Sequence, residues 1–250
     1  VRTPEPHVVV AGGSRLFPYL ASGDLQALSW GIPGFYLSGP ARDTLDVHLA
    51  GGADPTSTPL AISRYNWAFH LELQRFVYFV DLTFRYYGAG DWAKAVYFFD
   101  SSDNLVRRCT FISNDVGVGI KYDSHRNVIE DSEFYDTISG WPWVAVKEYS
   151  DASDRGVWVE DGGISVYDPM TGRGTVVRRN RFHDDFDGLH VSPESSMPTN
   201  ETDVYDNLVY NMGDDGIEVD GYASNVRLWS NTFHDVLMGV SVAPVYDGPV

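Results

Sequence analysis

Cysteine is nearly absent from this chain of 250 residues: Cys109 stands alone, so no internal disulfide can form, and beside Phe111 it reads as a small core residue. No run of about 18 apolar residues occurs anywhere, which excludes insertion in a membrane as a helix. Basic residues are scarce too: 18 Lys and Arg stand against 35 Asp and Glu, a net charge of −17. That balance argues against nucleic acid or an anionic membrane as partner, since both recruit basic patches. It also weighs against a dense polyanion unless calcium bridges the two. No signal peptide opens the sequence at Val1, and the last residues stop in mid-pattern. The expectation is a mature or trimmed piece of an exported protein, secreted or held at the cell surface.

What the sequence does have is repetition. Stretches beginning at Asn180, Asn207 and Asn231 each run Asn, an apolar residue two later, a polar turn, then Gly-apolar-x-Val. A repeat of about 25 residues is one supersecondary unit that cannot bury its own apolar face, so copies must stack. Gly188-Leu-His-Val191, Gly216-Ile-Glu-Val219 and Gly239-Val-Ser-Val242 alternate with period two, the mark of strands, and no helical pattern separates the copies. The prediction is an all-β, single-stranded parallel β-helix, a solenoid with an irregular N-terminal cap. Leu189, Ile217 and Val240 should form one inward ladder, Val191, Val219 and Val242 a second, with His190, Glu218 and Ser241 facing out. Phe84, Phe111, Phe134, Phe182, Val209 and Phe233 should stack inside. Asn104, Asn127 and Asn225 should make a turn ladder, and Asp100, Asp123 and Asp168 another.

Residues 1–68 lack the repeat. They read as a lead-in strand near Val8–Val10, a short helix near Ser22–Ser29 capped by Ser22 or Asp24, and a strand over Asp43–Leu49. Together they would cover the open end of the coil. Residues 69–250 would form the solenoid. The step from Asn127 to Asn180 is about twice the others and is read as one coil carrying an insertion, 137–160, with two coils, one of them degenerate, as the alternative; a shorter insertion lies at 193–202. Loops that interrupt a solenoid on one side mark its binding face.

The Asn-x-Phe…Asp-Gly-Ile-x-Val coils resemble the right-handed parallel β-helix repeats of the pectin-lyase-like superfamily over residues 69–250. The resemblance supplies the handedness and implies a polysaccharide or oligosaccharide partner. Asp187-Gly188 and Asp214-Asp215 resemble parts of the polygalacturonase motifs, although the histidine expected near Met238-Gly239 is missing. Asp123-Ser-His125 is similar to a mannuronan epimerase motif but departs from it at Ser124 and Arg126.

Carboxylates that precede or follow one strand on successive coils approach about 5 Å, close enough to hold a proton between them. Asp187 and Asp215, supported by Asp214, Glu218 and His190, are therefore the candidate acid/base group for glycosidic cleavage. Asp-Gly is also ordinary turn chemistry, which is the competing explanation. Trp141, Trp143 and Trp158 in the longer insertion would stack on sugar rings, with Lys121, Lys147 and Asp220 as further substrate contacts. No cofactor is required by this reading. Calcium remains an option, with Asp161 and Asp185 as hard oxygen ligands, and would fit an alternative Ca-dependent lyase or C5-epimerase with Lys121 or Lys147 as base. A third alternative is a non-catalytic carbohydrate-binding or surface-structural β-helix.

Overall fold

The computed structural model describes residues 5–152, 159–160, 162–167, 171–191, 199–242, 244–246, 248 and 250. Three parallel sheets run the length of the solenoid. Sheet 1 holds Phe69–Glu72, Val96–Phe99, Val118–Lys121, Ile164–Tyr167, Leu189–Val191, Asp215–Val219 and Met238–Ser241. Sheet 2 begins at Tyr78–Val80 and ends at Arg227–Trp229; sheet 3 begins at Thr83–Arg85 and ends at Thr232–His234. Each turn of chain lays one strand on each sheet, in register with the turn before. This is a right-handed parallel β-helix.

The interior is built from columns. Phe84, Phe111, Phe134 and Phe182 stack with ring centroids 5.0, 4.6 and 4.9 Å apart, and Val209 and Phe233 continue the register. Leu189 lies over Ile217 and Ile217 over Val240, while Val191 lies over Val219. Removing one such ring would cost roughly 3–5 kcal/mol. The glycine of the Asp-Gly pairs is explained by the same stack. A Cβ at Gly188 would lie 2.5 Å from the Gly216 carbonyl oxygen and 3.3 Å from Val209 of that column, and one at Gly216 would lie 2.8 Å from the Phe233 ring. Neither glycine has positive φ. These pairs are thus sites of close packing, not of turn geometry, which weakens the turn explanation for the aspartates.

Buried amides tie coil to coil. Asn104 donates through its backbone N–H and its Nδ2 to Asn127 Oδ1, both at 3.1 Å. Asn180, Asn207 and Asn231 form a second ladder of the same kind. Asn225 does not join the first ladder. Register puts Val226 in that slot, and Asn225 occupies the left-handed corner position just before it, with φ 51°, a conformation asparagine tolerates. Asp123 N–H donates to Asp100 as the turn ladder requires; Asp168 lies outside the described residues.

The N-terminal segment packs on the flank of the solenoid, at the corner between sheets 3 and 1. The end of the first coil keeps Phe69 44% and Phe76 68% exposed. The reason is polar. Arg15 is buried and donates to Asp136 at 2.8 Å and to the Asn114 carbonyl at 3.3 Å, with Asp115 at 3.5 Å. Those corner groups need a cation, and the flank is where they lie. Helix α1 (Ser22–Ala27) has Ala21 as its N-cap, with no side-chain cap bond, so neither Ser22 nor Asp24 caps it.

Between sheets 3 and 1, Val118 pairs directly with Ile164, so the intervening chain is inserted in a single coil. Part of that insertion is helix α2 (Trp143–Ala152). Its Ala145, Val146 and Tyr149 bury against Phe17, Tyr19 and Leu25 of the N-terminal segment. Among the described residues, no helix is long and apolar enough to cross a membrane.

Candidate functional site on the outer face of sheet 1

Strand alternation sends one column outward from sheet 1: Tyr97, Gly119, Ser165, His190, Glu218 and Ser241, each paired with the next. His190 stands in the middle of a three-residue group. Its Nδ1 is 3.0 Å from Glu218 Oε2 and its Nε2 is 3.5 Å from Asp187 Oδ2. The Asp187 carboxylate is fixed in turn, because Oδ1 accepts the Asp215 backbone N–H at 2.6 Å. One imidazole therefore bridges two carboxyl groups from adjacent coils.

Burial sets their proton affinity. Loss of water raises Glu218 to about 8, with Asp220 adding a hydrogen bond and like charge, against the pull of His190. Burial likewise raises Asp187 to about 6, opposed by His190 and by the Asp215 N–H. Asp215 is raised by burial and by the Asp214 charge, while a hydrogen bond from Ser241 opposes the shift. Access differs among them. The side chain of Asp187 is 2% exposed, that of His190 7%, and that of Glu218 23%. Glu218 is the member open to a ligand, and Asp187 lies behind His190 as a positioning group.

Asp214 belongs to a strut from the insertion. Trp143 Nε1 donates to Asp214 Oδ2 at 2.7 Å, and Lys147 Nζ lies 3.0 Å from the same oxygen and 2.5 Å from Glu160 Oε2. Burial opposes the charge on Lys147, yet Glu160 and Asp214 outweigh it and push its pKa up. A lysine held this firmly in its charged form is a poor base.

Other expected contacts go elsewhere. Trp141 is buried, 5.1 Å edge-on from Phe17 and beneath the Arg15 guanidinium, so it pins the insertion and does not meet a substrate. Trp143 is exposed beside Asp214. Lys121 faces outward with its ammonium 4.4 Å from the Tyr167 ring, two coils from His190 and so about 10 Å along the axis. Asp185 turns into the buried corner near Arg15 and Asp136, where burial raises its pKa; it is not part of the face. Trp158 and Asp161 lie outside the described residues.

Two neighbours of the site escape the repeat pattern. Lys94 is buried across the face, donating to the Trp92 carbonyl at 2.9 Å, and it occupies the space over Gly119, where a Cβ would come within 2.1 Å of its Cδ. A glycine in an outward slot of a strand was the available signal that another side chain crosses there. Glu160 is the second, and nothing in the spacing distinguishes it from other insertion acids.

Asp187, His190 and Glu218 also place one ligand atom each within 4.8 Å of one another. An imidazole nitrogen with two carboxylates suits a zinc- or manganese-like ion better than calcium, which prefers an all-oxygen set.

Comparison with known proteins gives a family and little beyond it. No curated protein sequence matches. Among solved structures, the crystal structure of an alginate lyase from Paenibacillus sp. str. FPU-7 is similar at 15% identity, over 68% of this chain and 70% of that one, with a TM-score of 0.32. Residues 77–233, most of the solenoid, match the family described as "Right handed beta helix region", and the chain belongs to the right-handed β-helix family.

Proposed function

We propose that this protein cleaves a polysaccharide by carboxylate acid/base chemistry on the outer face of sheet 1. The observation that carries the reading is the Asp187–His190–Glu218 group, in which Glu218, a partly open carboxyl 3.0 Å from the imidazole, has a pKa that burial pushes up to about 8. Glu218 is the acid: it gives its proton to the glycosidic oxygen as the C–O bond breaks. Asp215 is the second carboxyl, acting on water or on the anomeric carbon. The proton lost by the attacking water ends on Asp215 and, once product has left, restores the acid form of Glu218; His190 positions the Glu218 carboxyl and Asp187 fixes the imidazole. This exchanges the roles expected of Asp187 and Glu218, because Asp187 is too buried to touch a sugar. An exposed Trp143 beside Asp214 offers a ring for stacking. A polysaccharide substrate is in keeping with a protein outside the cell or on its surface.

The test is a panel of polysaccharides. Hydrolysis releases new reducing ends without ultraviolet absorbance from an unsaturated uronide, and Glu218→Gln stops it. A second reading follows from the three metal-capable donors: a cation-assisted lyase or epimerase. It predicts the unsaturated product or inverted uronate, and loss of activity on chelation. Lys121 would then be the base, since Lys147 is held charged. A protein that only binds glycans would give neither product.

A further inference from the structure

A cleft of about 250 Å³ lies between the N-terminal segment and α2, away from the face that carries Glu218. Its walls include Phe17, Tyr19, Trp30 and Tyr149, with Asp24 and Glu148 among its lining residues. The walls are fixed by packing. Phe17 meets Tyr19 edge-on at 5.2 Å and Tyr149 at 6.1 Å. The Tyr19 hydroxyl donates to the Ile32 carbonyl at 2.9 Å. Gly34 gives the Tyr19 ring its room, since a Cβ there would lie 2.4 Å from it. Asp24 and Glu148 are both exposed, and among the described residues no Lys, Arg or His lines the cleft.

Aromatic walls with two carboxylates and, among the described residues, no cation select a ligand that combines an apolar surface with positive charge. The volume lies below the roughly 300 Å³ of drug-sized pockets, so it suits one small ring. We propose that this cleft is a second binding site, specific for a single protonated amino-sugar unit. The C–H face of the pyranose stacks on half-buried Trp30, the nearly buried Phe17, Tyr19 and Tyr149 close the floor, and the ammonium group faces Asp24 and Glu148. The net charge of −17 favours the approach of such a ligand. One helix serves both places. Trp143 and Lys147 reach Asp214 on the outer face of sheet 1, whereas Ala145 and Tyr149 line the cleft. The choice of a sugar rests on the proposed function, but the cleft and its preference for a cation do not.

Calorimetric titration with glucosamine, glucose and N-acetylglucosamine tests the proposal on the whole chain, at a pH where the glucosamine amine is protonated. The expected result is one glucosamine site per chain, with the two neutral sugars at least about tenfold weaker. The double variant Asp24→Asn, Glu148→Gln should weaken glucosamine about fivefold or more while its melting curve stays unchanged, since both side chains are exposed. Glu218→Gln should leave this binding intact, so failure here and failure of the cleavage reading are separable. Equal binding of the three sugars, no glucosamine binding, or unchanged affinity in the double variant overturns the proposal.

Discussion

On sheet 2, Glu130 stands one coil from Arg107 and one coil from Arg178. It accepts from the Nε of each, at 2.6 and 2.7 Å, and from Arg179 at 2.9 Å. On sheet 1, Glu218 stands one coil from His190 and one coil from Ser241. Both glutamates sit on outward columns of the same solenoid. Burial raises the pKa of each, but at Glu130 the Arg178 and Arg107 guanidiniums outweigh it and hold the carboxyl below its ordinary range. At Glu218 burial prevails. The ladder sets which groups meet, and the residue one coil away decides whether an acid braces the coil or keeps a proton. Arg108 on Asp81 and Arg126 on Asp103 extend the bracing pattern along the corners.

The contrast can be broken at its chemical end first. Glu218→Gln keeps the shape and removes the proton donor, so cleavage of whichever glycan is a substrate should fall by about 10²–10⁴-fold, with no fall in melting temperature. Next, Ser241→Arg would give Glu218 a guanidinium one coil away, rebuilding the sheet 2 arrangement on sheet 1. Activity should drop at least about tenfold and its alkaline limit should move to lower pH, measured as rate against pH.

Smaller effects separate stability from function. Glu130→Gln should cost roughly 1–3 kcal/mol in urea unfolding and leave turnover unchanged, because its arginine partners are partly solvated and lose only their shared acceptor. The pH dependence of stability should also split by sheet. Glu218 and Asp187 have folded-state values above their ordinary ones. The folded chain therefore binds more protons than the unfolded chain between about pH 4 and about 8, and this contribution is lost as pH rises through that window. Glu130 has the opposite sign: its contribution is present at neutral pH and is lost as pH falls below about 4.5. In Glu218→Gln the decline between about pH 6 and 8 should flatten, as read from urea midpoints.

Much of the fold was legible because a solenoid turns sequence periodicity into spatial columns. The phenylalanine stack, the Leu189–Ile217–Val240 ladder and the outward His190–Glu218–Ser241 column follow from spacing alone. Asn225 shows the limit: a slip of one residue moves a side chain from a ladder into a corner. The site was legible only in part. Its acids lie on the repeat, so their neighbours could be read from register. Burial could not, and burial is what places Asp187 behind His190 and Trp141 inside the insertion. Contacts from outside the repeat, such as Lys94 over Gly119 and Arg15 in the corner, have no period to betray them.

The most direct test of the account is a carbon-13 NMR titration of the glutamate side-chain carboxyls, with Glu218→Gln used to assign the Glu218 signal. A Glu218 resonance that titrates near pH 8 is the predicted result. A resonance that titrates near the ordinary glutamate value of about 4.3 would mean that the carboxyl is ionised at neutral pH and has no proton to give, contradicting the account.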